Sequence, residues 1–191
     1  MLNNSEIVLL CKAIYRKMKK LIIMLVVTLF IACDKQENEE LIFENTIDNV
    51  NAFTENRPST VIYSEEAHSG YFVSKIDVSS PYSPTLYLQL SEISKDPLKK
   101  VIVSAWIMNS GYNALPEIAV DIMDENKNSI EWTASGVSKA DTALNKWHKI
   151  YFNVNLLAED KNKSDNYIKV YVCNGGKDFS YVDDITIEFI R

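Results

Sequence analysis

Side chains able to do chemistry are few and scattered in this chain. Its 191 residues hold two histidines, His68 and His148, and three cysteines, Cys11, Cys33 and Cys173. Neither histidine lies in a nucleophile motif, a zinc motif or a phosphate loop. Asp183 and Asp184 are neighbours in an apolar-alternating run, so their carboxyls are expected on opposite faces of a strand. Two carboxyls placed so cannot act together on one glycosidic bond. No cysteine pair has metal-ligand spacing, and Cys173, inside IKVYVC, is expected to be a small buried hydrophobe and not a reactive thiol. These residue types supply no catalytic constellation, so the chain is expected not to be an enzyme.

The elements that must carry these residues read as strands. Short apolar-alternating runs cover 41–45, 60–64, 70–78, 85–90, 100–108, 117–123, 129–134, 147–156, 167–172 and 181–189. Between them lie Gly, Pro, Asn, Asp and Ser clusters such as HSG, SSPYSP, SKDP and NGGKD, the residue types of turns. Ten strands with almost no helical period predict an all-β, antiparallel two-sheet β-sandwich. Alternation sends Leu86, Leu88, Leu90, Ile150, Phe152, Val154, Ile168, Val170 and Val172 to the core between the sheets. Run 100–108 is apolar on both sides, as a central strand covered on both faces would be. Ile185, Ile187 and Phe189 face the core, and alternation places Asp183 on their side. A carboxylate aimed at a core edge needs a cation or hydrogen-bond donors.

Ahead of this region, Arg16, Lys17, Lys19 and Lys20 precede an 11-residue, mainly aliphatic run, Leu21 to Ile31. That run fits the apolar part of a signal peptide and is too short to span a membrane as a helix. Met18 opens MKKLIIMLVV, an alternative start to Met1 that leaves the same mature chain. LFIAC, ending at Cys33, resembles the lipobox of bacterial lipoproteins, with Phe30 where Leu is usual. The resemblance implies that residues 1–32 are removed and that Cys33 becomes a lipidated N-terminus, with acyl groups such as palmitate holding it to a membrane. Residues 33–40, including DKQENEE, are an acidic tether. They resemble export signals of Bacteroidetes-type surface lipoproteins, which implies the outer face of the outer membrane, while a plain flexible spacer is the alternative. Residues 41–191 form the domain. Removing residues 1–32 leaves 159 residues with 15 basic against 25 acidic side chains, a net charge of −10. Such a surface repels phosphate backbones, so nucleic acid is excluded as a partner.

AHSGYFVSKID, LKKVIVSAWI, NKWHKIYFNV and YVDDITIEF follow in order behind an opening IFEN. This pattern, from about Leu41 to Phe189, resembles the galactose-binding-like jelly rolls, especially the carbohydrate-binding modules of xylanases and cellulases. The resemblance implies a structural Ca2+ site built from Glu44, the His68-Ser69-Gly70 loop and Asp183. The alternative, that Asp183 caps backbone amides and no metal binds, stays open. The resemblance also implies a glycan partner.

Sugar recognition needs flat aromatic rings and planar polar groups. The outward sets supply both in Tyr87, Gln89, Tyr151, Asn153, Lys169 and Tyr171, with Trp106 beside Ser104 and an outward Asp121. Cross-strand packing alone also accounts for outward Tyr and Asn. Tyr82, Tyr112 and Trp132 are alternative ring platforms, and Trp147 is read as a structural plug. The leading expectation is a non-catalytic glycan-binding module tethered at the cell surface. The alternative is a structural or adhesive surface protein using the sandwich for protein–protein contact. An exposed row of aromatics separates the first reading from the second.

Overall fold

The structure, a computed structural model, describes residues 40–45, 47–49, 59–136 and 143–191. The signal segment, Cys33 and nearly all of the acidic tether lie outside the described residues. All ten expected strands form: β1 (Glu40–Asn45), β2 (Val61–Tyr63), β3 (Phe72–Ile76), β4 (Leu86–Gln89), β5 (Lys100–Asn109), β6 (Pro116–Met123), β7 (Ser129–Gly136), β8 (Trp147–Asn155), β9 (Tyr167–Asn174) and β10 (Ser180–Ile190). Glu40, read as the end of the tether, already pairs with Ile190 as the first residue of β1. Leu90, read as the end of a strand, instead begins a one-turn helix, α1 (Leu90–Ile93). The cause is local: the Glu92 carboxylate reaches back to accept the Gln89 backbone N–H at 2.8 Å, turning the chain out of the ladder.

Two antiparallel sheets face each other. One runs β2-β3-β10-β5-β8, with β1 also paired to β10; the other runs β4-β9-β6-β7. The facing sets are those that alternation selects. Val101, Val103, Ala105 and Ile107 from β5, Ile168, Val170 and Val172 from β9, and Ile187 and Phe189 from β10 are all sealed from solvent. Phe43 packs edge-on against Phe189 with ring centroids 5.7 Å apart, closing the core at β1. The expectation for run 100–108 also holds: β5 is central in the six-stranded sheet, and its outer-side residues Ser104 and Met108 are buried as well.

Alternation fails where it bears on the predicted site. The β10–β5 register shifts between Asp183 and Thr186, and Asp184 takes a positive φ of 45°. This is a bulge, which inserts a residue and re-phases the strand. Val182 pairs with core residue Ile107, while Asp183 pairs with Trp106, so Asp183 belongs to the outer side of the six-stranded sheet. It does not share the side of Ile185, Ile187 and Phe189 as alternation implied. Nor do the two carboxyls part to opposite faces, because both meet the same loop.

Because Phe189 is fully enclosed, Phe189→Ala should cost about 3–5 kcal/mol of stability. In urea unfolding the midpoint should fall with an unchanged slope. A loss below about 1 kcal/mol would mean that the two sheets do not close over this ring.

Candidate functional site

The residues proposed for calcium form a hydrogen-bonded clasp. Asp183 Oδ2 accepts the backbone N–H groups of His68 and Ser69 at 3.0 and 3.1 Å, and its Oδ1 accepts the N–H of Asp184 at 2.8 Å. Asp184 binds the same two residues through their side chains: Ser69 Oγ donates to Oδ1, and His68 Nδ1 lies against Oδ2, each at 2.6 Å. A carboxylate only accepts, so Nδ1 carries the proton. The His68 ring lies on Trp106 with centroids 3.9 Å apart and planes 20° apart, and meets Trp147 edge-on at 5.7 Å. Trp147 Nε1 donates to the Glu66 carbonyl at 2.9 Å, which fits its reading as a plug. Burial pushes the Asp183 carboxyl up to about 7. The N–H of Ser69 opposes this shift, the charge of Asp184 adds to it, and the N–H groups of Asp184 and His68 oppose it.

Of the expected calcium ligands, Asp183 meets the His68-Ser69 loop in this clasp, with Asp184 as a further carboxylate. Calcium takes six to eight oxygen ligands; in this structure the Asp183 oxygens accept three N–H groups. Glu44 is exposed, opposite Thr186 in the β1 pairing. Gly70, at φ 60°, is where a Cβ would collide with the Asp48 carboxylate. Asp48 accepts the Tyr71 N–H at 3.0 Å, and its other oxygen is buried without a partner. Among the described residues no group of three or more His, Cys, Asp or Glu is placed to bind a metal.

The sugar-contact candidates divide between the two sheets. Trp106, Tyr151 and Asn153 lie on the outer side of the six-stranded sheet, where Trp106 pairs with Lys149, Ser104 with Tyr151 and Ile102 with Asn153. One ring face of Trp106 is already taken by His68. Tyr87, Gln89, Asp121, Lys169 and Tyr171 gather on the outer face of the four-stranded sheet. There Tyr87, Lys169, Asp121 and Trp132 form one continuous row across all four strands.

Aromatic rings stand on both sides of this row. Trp132 Nε1 donates to Tyr171 Oη at 3.0 Å, reaching across β6 above Ala119, whose small side chain leaves the space. Tyr82, bridged to Cys173, sets its ring edge-on to Tyr171 at 5.5 Å. At the other end Tyr87 and Tyr167 lie parallel with centroids 5.4 Å apart. Tyr167 and Tyr171 are four residues apart on β9, about 13 Å along the strand, which suits an oligosaccharide better than one sugar ring. Asp121 Oδ1 accepts the Ser129 hydroxyl at 2.6 Å. Trp132 and Tyr82 are 52% and 57% exposed, so rings and polar groups both face solvent.

Of the alternative platforms, Trp132 and Tyr82 join this face. Tyr112 is exposed in the loop before β6 and joins neither group. Cys173 is half-buried on this outer face, not in the core. Burial and then the charge of Glu117 raise its thiol pKa, which agrees with an unreactive cysteine. Sequence reasoning passed over two contributors. Tyr167 stacks on Tyr87 at the first position of β9. Lys127 sits in the β6–β7 turn at φ 67°, and its ammonium lies over both Tyr87 and Tyr167. A charge at the tip of a tight hairpin signals solvent, and only the fold shows that this hairpin leans over the sheet.

The chain shares its fold with the CBM22-1 xylan-binding domain from Paenibacillus barcinonensis Xyn10C. The TM-score is 0.50 at 14% identity, covering 83% of this chain and 99% of that domain. The CBM22-1-CBM22-2 tandem of the same protein gives the same TM-score and identity over 83% of this chain, which spans 48% of the tandem. At this identity the likeness establishes the jelly-roll β-sandwich and nothing finer. No protein-family model matches the sequence, and no curated protein matches it.

Two tests follow from the clasp. Thermal melts with added calcium and with chelator separate the two readings of Asp183: a calcium-dependent rise supports the metal site, and coincident melts support the amide cap. The second concerns pH, because Asp183 has a raised folded-state pKa. Its contribution is fully present below the ordinary carboxylate pKa of 3.8 and is lost as pH rises through about 7;. Wild type should therefore lose stability relative to Asp183→Asn between about pH 4 and 7. A difference that does not change with pH would show that the carboxyl keeps an ordinary pKa.

Proposed function

We propose that this protein is a non-catalytic glycan-binding module whose oligosaccharide lies on the outer face of the four-stranded sheet. The observation that carries the reading is the row Tyr87–Lys169–Asp121–Trp132, with aromatic rings at both ends of the face and polar groups between them. Stacking surfaces for pyranose rings and hydrogen-bonding groups for hydroxyls are what carbohydrate recognition requires. The shared fold with a domain described as xylan-binding lends support without naming the glycan.

The N-terminal sequence adds a location. Cys33 carries the lipid, and the acidic run after it extends the module from the outer face of the outer membrane. Support comes from the basic cluster, the 11-residue apolar run and LFIAC;. Two or more acyl chains make such a hold stable, where one gives only marginal binding. Mass spectrometry should find a mature N-terminus at Cys33 carrying diacylglycerol, and Cys33→Ser should accumulate the uncleaved precursor. Cleavage at another residue, or a mature chain without lipid, would refute the anchor.

For binding, polysaccharide affinity gels and a glycan array are the direct measurement. Trp132→Ala should weaken retention by about tenfold or more, the loss expected for a central aromatic anchor. Tyr151→Ala, on the opposite sheet, should leave it unchanged. Wild-type protein that is retained by no polysaccharide would end this reading.

A further inference from the structure

Resting on that reading, we infer that the glycan is an acidic one, a uronate-bearing oligosaccharide whose carboxylates are met by Lys127 and Lys169. Few of the described lysines form an ion pair, and what sets Lys127 and Lys169 apart is their place among the rings of this face. Lys161, at the edge of the same sheet, pairs with Glu131. Among the described residues, Lys127 and Lys169 form no ion pair. Each ammonium lies instead over the tyrosine rings of one end of the face. Lys127 Nζ is 5.6 and 5.7 Å from the ring centres of Tyr87 and Tyr167, and Lys169 Nζ is 5.1 Å from that of Tyr171.

Tyr171 beneath Lys169 is buried, so the rings open to a sugar are Tyr87 beside Lys127 and Trp132 and Tyr82 at the Lys169 end. An ammonium over a ring keeps its charge available, since the ring offers only a weak attraction. A sugar stacked on an open ring brings its substituents within reach of the ammonium. A neutral hydroxyl gains one ordinary hydrogen bond there, whereas a carboxylate gains a charge-assisted one. Two carboxylates share the face and do not cancel this preference. Asp121 is the register neighbour of Lys169, yet it holds the Ser129 hydroxyl while the ammonium leans toward Tyr171. Glu117 lies two positions beyond Ala119, beside Cys173.

The test uses the full mature protein on an array that pairs each neutral polysaccharide with a carboxylate-bearing form. Unsubstituted xylan against glucuronoxylan is one such pair, and methyl-esterified against free polygalacturonate is another. The expected result is at least tenfold tighter binding to the acidic member of a pair. That advantage should shrink as sodium chloride rises from 50 to 500 mM, because exposed charges are screened. Lys127→Gln with Lys169→Gln should lower affinity for the acidic member far more than for the neutral one, bringing the two together, with the thermal melt unchanged. Equal binding to both members, or tighter binding to the neutral one, overturns the acidic preference and leaves glycan binding standing. Binding to neither member of any pair overturns glycan binding itself, and this inference with it.

Discussion

Strand β10 has to satisfy three neighbours at once, and the rest of the molecule is arranged around how it does so. Along one edge it pairs with β5 for nearly its whole length. Along the other it pairs with β3 at Ser180–Val182 and with β1 from Ile185 to Ile190. Asp183 and Asp184 fall at the handover, where neither β3 nor β1 supplies a backbone partner. Unpaired backbone groups at such a gap carry a heavy cost when buried. The bulge turns both carboxyls toward the loop ahead of β3, and the N–H groups of His68 and Ser69 dock there in place of a strand. The gap is thus filled by side-chain acceptors, and the price is a carboxyl whose ionised form is disfavoured by burial.

This arrangement decides which outer face is open. On the six-stranded sheet, the docked loop lays His68 on Trp106 and draws Trp147 to the Glu66 carbonyl. Part of that face is covered by the protein itself. The four-stranded sheet has no comparable loop pinned across its centre among the described residues. Its rings are held from below and from the side by one another, and their exposed faces remain free. The same sandwich therefore has one face closed by the device that completes a strand and another left free to bind.

Existence and facing of the strands were legible because both depend on period-2 patterning and local turn chemistry. Ile168, Val170 and Val172 could be assigned inward from seven residues of sequence. Sheet membership was not legible in this way. Trp106 and Tyr171 have similar outward settings in their own strands, and only non-local pairing puts them on opposite sides of the protein. Asp183 was misplaced for a different physical reason. A bulge shifts alternation by one residue, and Asp-Asp in a strand gives no warning of it beyond the tolerance of Asp for positive φ.

The small residues explain why the open face has relief. Ala119 lies in the middle strand with Tyr171 on one side and Ala134 on the other. A larger side chain at Ala119 would stand where the Trp132–Tyr171 hydrogen bond now crosses β6. With alanine there, the indole and phenol meet over the strand and fix each other's rotamers. A ring held in place loses little conformational freedom when a sugar stacks on it, so more of the stacking energy remains as affinity. The bond to Trp132 also pulls against the burial that raises the Tyr171 phenol, and the phenol oxygen stays an acceptor tied to the indole. The relief of this end therefore rests on the methyl group beneath the rings as well as on the rings themselves.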